Sequence, residues 1–562
     1  MKVQFLIFLI CSLSLFAQSN NSYLLKHGDI TLPINNNGVI ADVIVDSLYL
    51  GMTYNGNVIL YSGGFMLSGY NNDSLWANGV ASASRIQDYS PGSYLHSEHD
   101  DLANLYILKS GDIDFGDSWQ NWKDAVKLGA DYYDGNNDGI YNPLDLNGNN
   151  KWDYGEDRPD LLGEETIWCI YKDDVPNALR RFTVSPKGIE IQQTVFSTLI
   201  PNIIFIRYRI INSGLVSETL DSVYFSIFSD PDIGGYLDDL VGCDSTINAG
   251  FGYQNTPDRV FGNSAPTFLT SFVQGPYSYI PGKTFKDNNA NGVFDEGDES
   301  LSTANAINGV VKGISIKEGA ITLPITSLSP THFGDIGSDS DTHFEIRNTQ
   351  LGLWKSGELI NPCDWKYGEV FNEDCNNING LFPYSGNPII PQGWINNQPM
   401  DQRFMINTGP FQLAKGEPID IVVAYVVGYN ENSSLSSLQN AKVRTTDMLP
   451  YFENNQFEII LADTIDITEK PVELFGLKQN YPNPFNSTTN IKYAIPHRKM
   501  AENVSIKIYN LLGEVVATLV DEVQSSGIYS INFSSENLTS GLYIISLTNL
   551  EYSDSKKLMV LK

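Results

Sequence analysis

This chain is short of positive charge. Against 66 aspartates and glutamates stand 35 lysines and arginines, a formal net charge of −31 over 562 residues. A surface of that sign repels nucleic acid and anionic membranes and attracts divalent cations, so nucleic acid is excluded as a partner. Charged residues are nonetheless only 18% and hydrophobic ones 42%, a balance that belongs to a globular chain rather than a disordered acidic one. Long apolar runs are missing beyond the N-terminus. None approaches the ~18 uninterrupted residues of a membrane-spanning helix, so the mature chain is expected not to be transmembrane. Catalytic signatures are missing as well. There is no Gly-x-Ser-x-Gly elbow and no phosphate loop. His96 and His99 lack the His-Glu-x-x-His order of a helix-borne zinc site and follow Pro91-Gly92 in a polar stretch. Nothing singles out one carboxylate pair for glycoside hydrolysis. Trp119, Trp122, Tyr132 and Tyr133 are of a type that stacks on sugars, but such aromatics more often cover a core or a sheet.

The first residues read as a signal peptide, 1–17. Lys2 supplies a short positive region, residues 5–16 are an apolar run too short to span a bilayer, and Ala17 is a small residue suited to cleavage before Gln18. Cys11 is no lipid acceptor, because Ile10 stands where a small residue is expected. Four cysteines then remain, and an exported chain permits disulfides. Cys363 and Cys375 close a short loop and are the preferred pair, worth ~3 kcal/mol on a chain-entropy estimate. Cys169 and Cys243 sit in apolar surroundings and are either a second pair or buried thiols.

Residues 18–463 carry β patterning almost throughout. Ile204, Ile206, Tyr208 and Ile210 alternate with Phe205, Arg207, Arg209 and Ile211. Residues 421–427 are a continuous apolar run that fits a strand buried on both faces. The length suits two domains or one large double-layered sheet. One long helix is predicted, over 434–448, with Ser433 or Ser434 as N-cap and Pro450 as its stop. Residues 464–473 read as a linker. The fold class is therefore mainly β, a β-sandwich-type region followed by a small immunoglobulin-like sandwich at 474–562.

Three stretches have the oxygen rhythm of an EF-hand-type calcium loop, with ligands at positions 1, 3, 5, 7 (a backbone carbonyl), 9 and 12 and a sharp turn at position 6. In 287–298 these are Asp287, Asn289, Asn291, Val293, Asp295 and Asp298, with Gly292 at the turn. Asp298 is shorter than the usual glutamate, and Glu299 is a possible substitute. In 134–156 the rhythm runs twice. Asp134, Asn136, Asp138, Ile140, Asn142 and Asp145 form one loop, and Asp145, Asn147, Asn149, Lys151, Asp153 and Glu156 the next, so that Asp145 is expected to serve both. Asn150 takes the turn position of the second, a residue that tolerates positive φ. The alternative is Asn/Asp/Gly turns without metal. The shared residue resembles the calcium-wired repeats of thrombospondin and dockerin type, without their flanking helices or cysteines. A further acidic group, Asp230, Asp232, Asp238, Asp239 and Asp244, reads first as turns, and as a metal or sugar site second.

The C-terminal stretch carries ordered short blocks: Tyr481-Pro-Asn-Pro-Phe485, Ile491-Lys-Tyr-Ala-Ile-Pro496, a run from Val504 to Gly513, Gly541-Leu-Tyr543 and Lys556-Lys-Leu-Met-Val-Leu-Lys562. In order, spacing and position these resemble the type A C-terminal sorting domain of type IX secretion cargo. The resemblance implies export through the periplasm to the medium or outer cell surface, the type IX machinery as partner, and removal of this domain. Weaker resemblances at 202–244 and 401–417 are to large β-rich type IX cargo proteins, for which no defined activity is implied. Together these readings give a secreted or surface protein stabilised by structural calcium, non-enzymatic, with a structural, adhesive or binding role. The alternative is a secreted carbohydrate-active enzyme or carbohydrate-binding module, with a surface glycan as ligand.

Overall fold

The computed structural model describes residues 21–453 apart from 46–47, 310 and 333–337, and residues 476–561 apart from 478–479, 481–482, 496–501, 511–512, 525–526, 536–537 and 549–552. The signal peptide and linker readings fall outside these residues. The chain divides into two compact units, Met1–Thr464 and Ile465–Lys562.

Two antiparallel sheets face each other in the first unit. The eleven-stranded sheet is ordered Ser327–His332, Gln402–Ala414, Thr219–Asp230, Ser62–Asn71, Ile40–Ala41, Ile30–Asn35, Met52–Tyr54, Asn57–Leu60, with three strands attached. The nine-stranded sheet is ordered Ser90–Pro91, Glu165–Lys172, Ile189–Ser197, Ile203–Asn212, Ile419–Gly428, Thr267–Gln274, Ala249–Tyr253, Leu240–Asp244, with Tyr106–Lys109 attached. Their inner faces interdigitate as expected of a sandwich. Phe65 of the first sheet meets Phe225, and across the gap Tyr171 and Tyr208 of the second, at ring distances of 5.8, 6.2 and 5.4 Å.

The alternation in Ile203–Asn212 sorts as its sequence predicts. Ile204, Ile206, Tyr208 and Ile210 enter the inter-sheet core, while Phe205 packs on the opposite face. The neighbouring strand Ile419–Gly428 is buried on both sides. Ile421, Val423, Tyr425 and Val427 face the core, and Val422, Ala424 and Val426 lie under the helix Ser434–Glu453 through Leu438, Ala441 and Met448. Each such fully buried side chain contributes about 1.5–3 kcal/mol. The helix lies so close that a Cβ at Gly428 would meet Ala441 N at 2.4 Å and Ser437 O at 2.5 Å. Ser433 is the cap, its hydroxyl accepting from the N–H of Ser436 at 3.1 Å. Pro450 does not stop the helix, which continues to Glu453. Proline there falls in the last turn, where it removes one intrahelical bond from a helix already held by its packing. A shorter helix, Asp117–Lys127, buries Trp119 and Trp122 against Trp168 and Ile170. These tryptophans are core, not an open sugar platform.

The Cys363–Cys375 disulfide is present, with an S–S distance of 2.06 Å. Cys169 and Cys243 are buried free thiols, and burial pushes both up.

The described residues of the second unit form a sandwich of seven strands. Gly476–Leu477, Thr488–Ile495 and Gly527–Ser534 form one sheet; Val515–Gln524, Glu502–Tyr509, Gly541–Thr548 and Ser553–Val560 form the other. Ile491, Tyr493, Val504, Ile506 and Ile508 fill its core. In Gly541–Thr548 the inward set is Tyr543, Ile545 and Leu547, whereas the 542, 544, 546 set faces out. In Gly527–Ser534 it is Tyr529, Ile531 and Phe533 that pack inward. A one-residue change of parity moves every side chain to the other face, and Asn532 and Ser546 stand on the wetter face.

Charge is buried on the outer face of the nine-stranded sheet. Arg207 Nε meets Asp420 Oδ1 at 2.7 Å and Arg209 meets Asp420 Oδ2 at 3.4 Å. Asp160 is near them, accepts the N–H of Val311 at 3.1 Å, and is pushed up to about 6 by burial and by Asp131. A carboxyl raised above its unfolded value of ~3.9 penalises the fold above its folded pKa, and the penalty fades as pH falls towards the unfolded value. Stability from this group should therefore rise between pH 6 and pH 4. Asp160→Asn should stabilise the protein by roughly 1–3 kcal/mol at pH 8 and by little at pH 4, read from urea denaturation at both pH values.

Candidate metal centres

Each acidic loop sits at the tip of a hairpin. Residues 287–298 are bracketed by Phe285–Lys286 paired with Glu299–Ser300, Lys286 opposite Glu299. Residues 134–157 are bracketed by Tyr132–Tyr133 paired with Arg158–Pro159, Tyr133 opposite Arg158. The closing residue is therefore set by the hairpin base, not by counting along the chain.

In the 287–298 loop Asp287 accepts the N–H groups of Asn291 at 3.2 Å and Gly292 at 2.7 Å. Asn289 Oδ1 takes the N–H of Asn291, and Asn291 Oδ1 that of Val293. The amides of Asn289 and Asn291 both reach the Asp295 carboxylate, at 3.0 and 2.7 Å. Asp298 accepts from the N–H of Asn288 at 2.8 Å and of Asp295 at 3.1 Å. Asp298 thus takes the closing place by its hydrogen bonds, and Glu299 stands 4.0 Å from Lys286. The backbone is left-handed at positions 4 and 6, Ala290 at φ 59° and Gly292 at φ 78°.

The second loop repeats this pattern, with one further bond to its first aspartate from the N–H of Gly148. Asp145 accepts from Gly148, Asn149 and Asn150, which holds its carboxyl below the usual range, the Asn150 N–H foremost. Asn147 and Asn149 reach Asp153 at 2.6 and 2.7 Å, and Lys151 donates to Asn149 Oδ1. Glu156 closes the loop, taking the N–H of Leu146 at 2.7 Å and of Asp153 at 2.9 Å. Gly148 and Asn150 are the left-handed residues, φ 76° and 61°.

The first loop opens the same way. Asp134 accepts from Asp138 and Gly139, Asn136 from Asp138, and Asp138 from Ile140. Its closing carboxylate is different from the one expected. Asp157, not Asp145, accepts the N–H of Gly135 at 3.0 Å and of Asn142 at 2.7 Å, the two donors that the twelfth position serves in the other loops. Asp145 is thus not shared. The second loop is inserted between the ninth and twelfth positions of the first, and the adjacent Glu156 and Asp157 close one loop each. Asp157 is only 2% exposed. Linear spacing could not reveal it; its place next to the return strand Arg158–Pro159 could have.

In all three loops the donor set is oxygen-only, which suits a hard cation. Asp134, Asn136, Asp138, Asn142 and Asp157 would hold one ion, Asp145, Asn147, Asn149, Asp153 and Glu156 a second, and Asp287, Asn289, Asn291, Asp295 and Asp298 a third, with the carbonyls of Ile140, Lys151 and Val293 at position 7. The amide-to-carboxylate contacts draw positions 3, 5 and 9 together in the second and third loops.

The other acidic group divides. Asp239 accepts from Ile233 N–H and Gln254, and Asp244 pairs with Lys442 at 3.0 Å, so both shape turns. Asp230 and Asp232 instead meet Asp401, which nothing in the sequence pattern linked to them; one oxygen from each lies within 4.8 Å of the others. Burial and Asp401 push Asp232 up to about 7. His96 and His99 join no such group among the described residues. A cavity of about 10 Å³ beside Trp122, Trp168, Asp160 and Arg207 admits a water and not a sugar ring.

In the C-terminal unit the first and last of the short sequence blocks are joined in space. Asn483 accepts the N–H of Met559 at 2.8 Å and donates to Lys557 O at 3.0 Å. Phe485 exchanges backbone bonds with Met559 and Leu561. Gly513 turns the hairpin at φ 83°, and Tyr543 donates its hydroxyl to Thr539 O at 3.0 Å.

Among solved structures the chain is similar to a polysaccharide lyase at 6% identity and a TM-score of 0.26, covering 96% of this chain and 47% of that protein. It is also similar to a tetra-tandem repeat from the extending region of a large adhesion protein, at 9% identity and a TM-score of 0.14, covering 71% of this chain and 95% of that one. Likenesses this faint carry no argument about fold or function. No curated protein sequence matches the chain. Residues 479–561 match the family model described as a secretion system C-terminal sorting domain. The end of this chain is accordingly a C-terminal sorting domain of the type IX secretion kind, which supports secretion by that system.

Proposed function

We propose that the first unit is a non-enzymatic surface or released module, structural, adhesive or binding in role, whose acidic hairpins are stiffened by calcium outside the cell. The observation that supports this most is the repetition of one hydrogen-bond and backbone pattern in three loops carried on two separate hairpins. An ordinary turn has no reason to place left-handed residues at positions 4 and 6 three times, or to aim one carboxylate at positions 2 and 9. The ions would be structural. Extracellular calcium modules bind at ~10⁻⁴–10⁻³ M, and at tenfold excess over Kd each ion adds ~1.4 kcal/mol. In their absence the loop carboxylates repel one another.

The nested arrangement fixes what substitution should do. Isothermal titration of the intact protein should count at least three calcium ions, one for each loop. Asp287→Asn and Asp145→Asn should each remove one, and Asp157→Asn should remove the ion of the first loop. Loss of two ions with Asp145→Asn would restore the shared-ligand arrangement, and no heat at millimolar calcium would reduce the loops to turns.

Delivery to the surface or medium is the second part of the proposal. Deleting residues 474–562 should leave the protein in the periplasm, as read by cell fractionation. The delivered product should lack this domain, with its new C-terminus within 464–475 by mass spectrometry. Surface-exposed protein that retains Lys562 would contradict processing. A glycan-binding and hydrolysis screen of the intact protein, with and without calcium, separates this reading from the carbohydrate-active alternative, which requires a saturable glycan signal.

A further inference from the structure

We propose that Asp230, Asp232 and Asp401 form a fourth cation site, separate from the hairpin loops, that takes one hard divalent ion. Three carboxylates converge here with ligand oxygens within 4.8 Å of one another. Acidic residues alone would not make a site, but Asp230 adds an independent observation. It is the last residue of the strand Thr219–Asp230, 2% exposed, and its Oδ1 has no hydrogen-bond partner although it is out of reach of solvent. A buried carboxylate oxygen left bare costs about 1–3 kcal/mol or more. A bound cation is a partner that would remove that cost.

The surrounding charges agree. Arg403 stands 3.0 Å from Asp230 Oδ2, 2.7 Å from Asp339 and 3.8 Å from Asp401. Among the described residues one guanidinium thus faces four carboxylates, counting Asp232, which together carry a charge of −3 with it if all are ionised. Arginine pairs with Oδ2 of Asp230 and with Asp339, while Oδ1 of Asp230 keeps no hydrogen-bond partner. A divalent ion would bring the local charge to −1. Three monodentate oxygens on one side, with water completing the shell, suit Mg²⁺, Mn²⁺ or Ca²⁺ rather than a soft metal. Strands Thr219–Asp230 and Gln402–Ala414 are hydrogen-bonded neighbours, and Asp401 lies just before the second. The ion would therefore pin the end of that pairing where the sheet runs out.

Manganese tests this without relying on the calcium loops. Free Mn²⁺ is counted by electron paramagnetic resonance as it is titrated into the full chain. Asp232→Asn with Asp401→Asn should lower the bound count by one, and Asp401→Asn alone should weaken that ion at least tenfold. Asp145→Asn with Asp287→Asn should leave this ion in place, losing only loop ions. Circular dichroism on each variant verifies the fold, and the single Asp401→Asn, at a half-buried position, serves if the double variant does not fold. Equal Mn²⁺ binding by wild type and the Asp232/Asp401 variants would overturn the site. So would no Mn²⁺ binding at millimolar concentration, which would make the cluster a set of protonated carboxyls.

Discussion

The strand Ile419–Gly428 is the constraint on which the first unit depends. Because both its faces are apolar, it must be covered twice, once by the opposing eleven-stranded sheet and once by the helix Ser434–Glu453. That requirement makes it a central strand of the nine-stranded sheet, with Ile203–Asn212 on one side and Thr267–Gln274 on the other. It also draws the helix back onto the sheet, where Gly428 lets the backbones touch. The acidic hairpins are outgrowths on this frame. Most of their carboxylates face solvent, with Glu156 and Asp157 buried where the loops close, so the clustered charge calls for a counter-ion.

How much of this the sequence discloses depends on whether the signal is local. Periodicity gives Ile203–Asn212 its two faces, the run 421–427 its double burial, and 434–448 its helix. The disulfide is legible because its cysteines are close in sequence. The C-terminal blocks are legible because their order is distinctive, and the fold shows why the first and last occur together: Asn483 and Phe485 zip onto the strand that ends the chain.

What the sequence hides is pairing at a distance. Counting positions gives Asp145 to the first loop, whereas the hairpin base gives that place to Asp157. Asp401 meets Asp230 and Asp232 only because their strands are neighbours in a sheet. Parity in Gly541–Thr548 is ambiguous because apolar residues stand on both faces, and the helix runs past Pro450 because packing outweighs one lost hydrogen bond. In each case tertiary structure decides between readings that local pattern leaves equal.

The central claim is that an acidic β-sandwich, carried by a type IX sorting domain, is completed by calcium in its hairpin loops. Thermal unfolding of the purified full chain, first with chelator and then at several millimolar calcium, tests it most directly. The account predicts a melting temperature several degrees higher with calcium, rising with its concentration and unaffected by an equal ionic strength of sodium. The same melting temperature in chelator, sodium and calcium would contradict it.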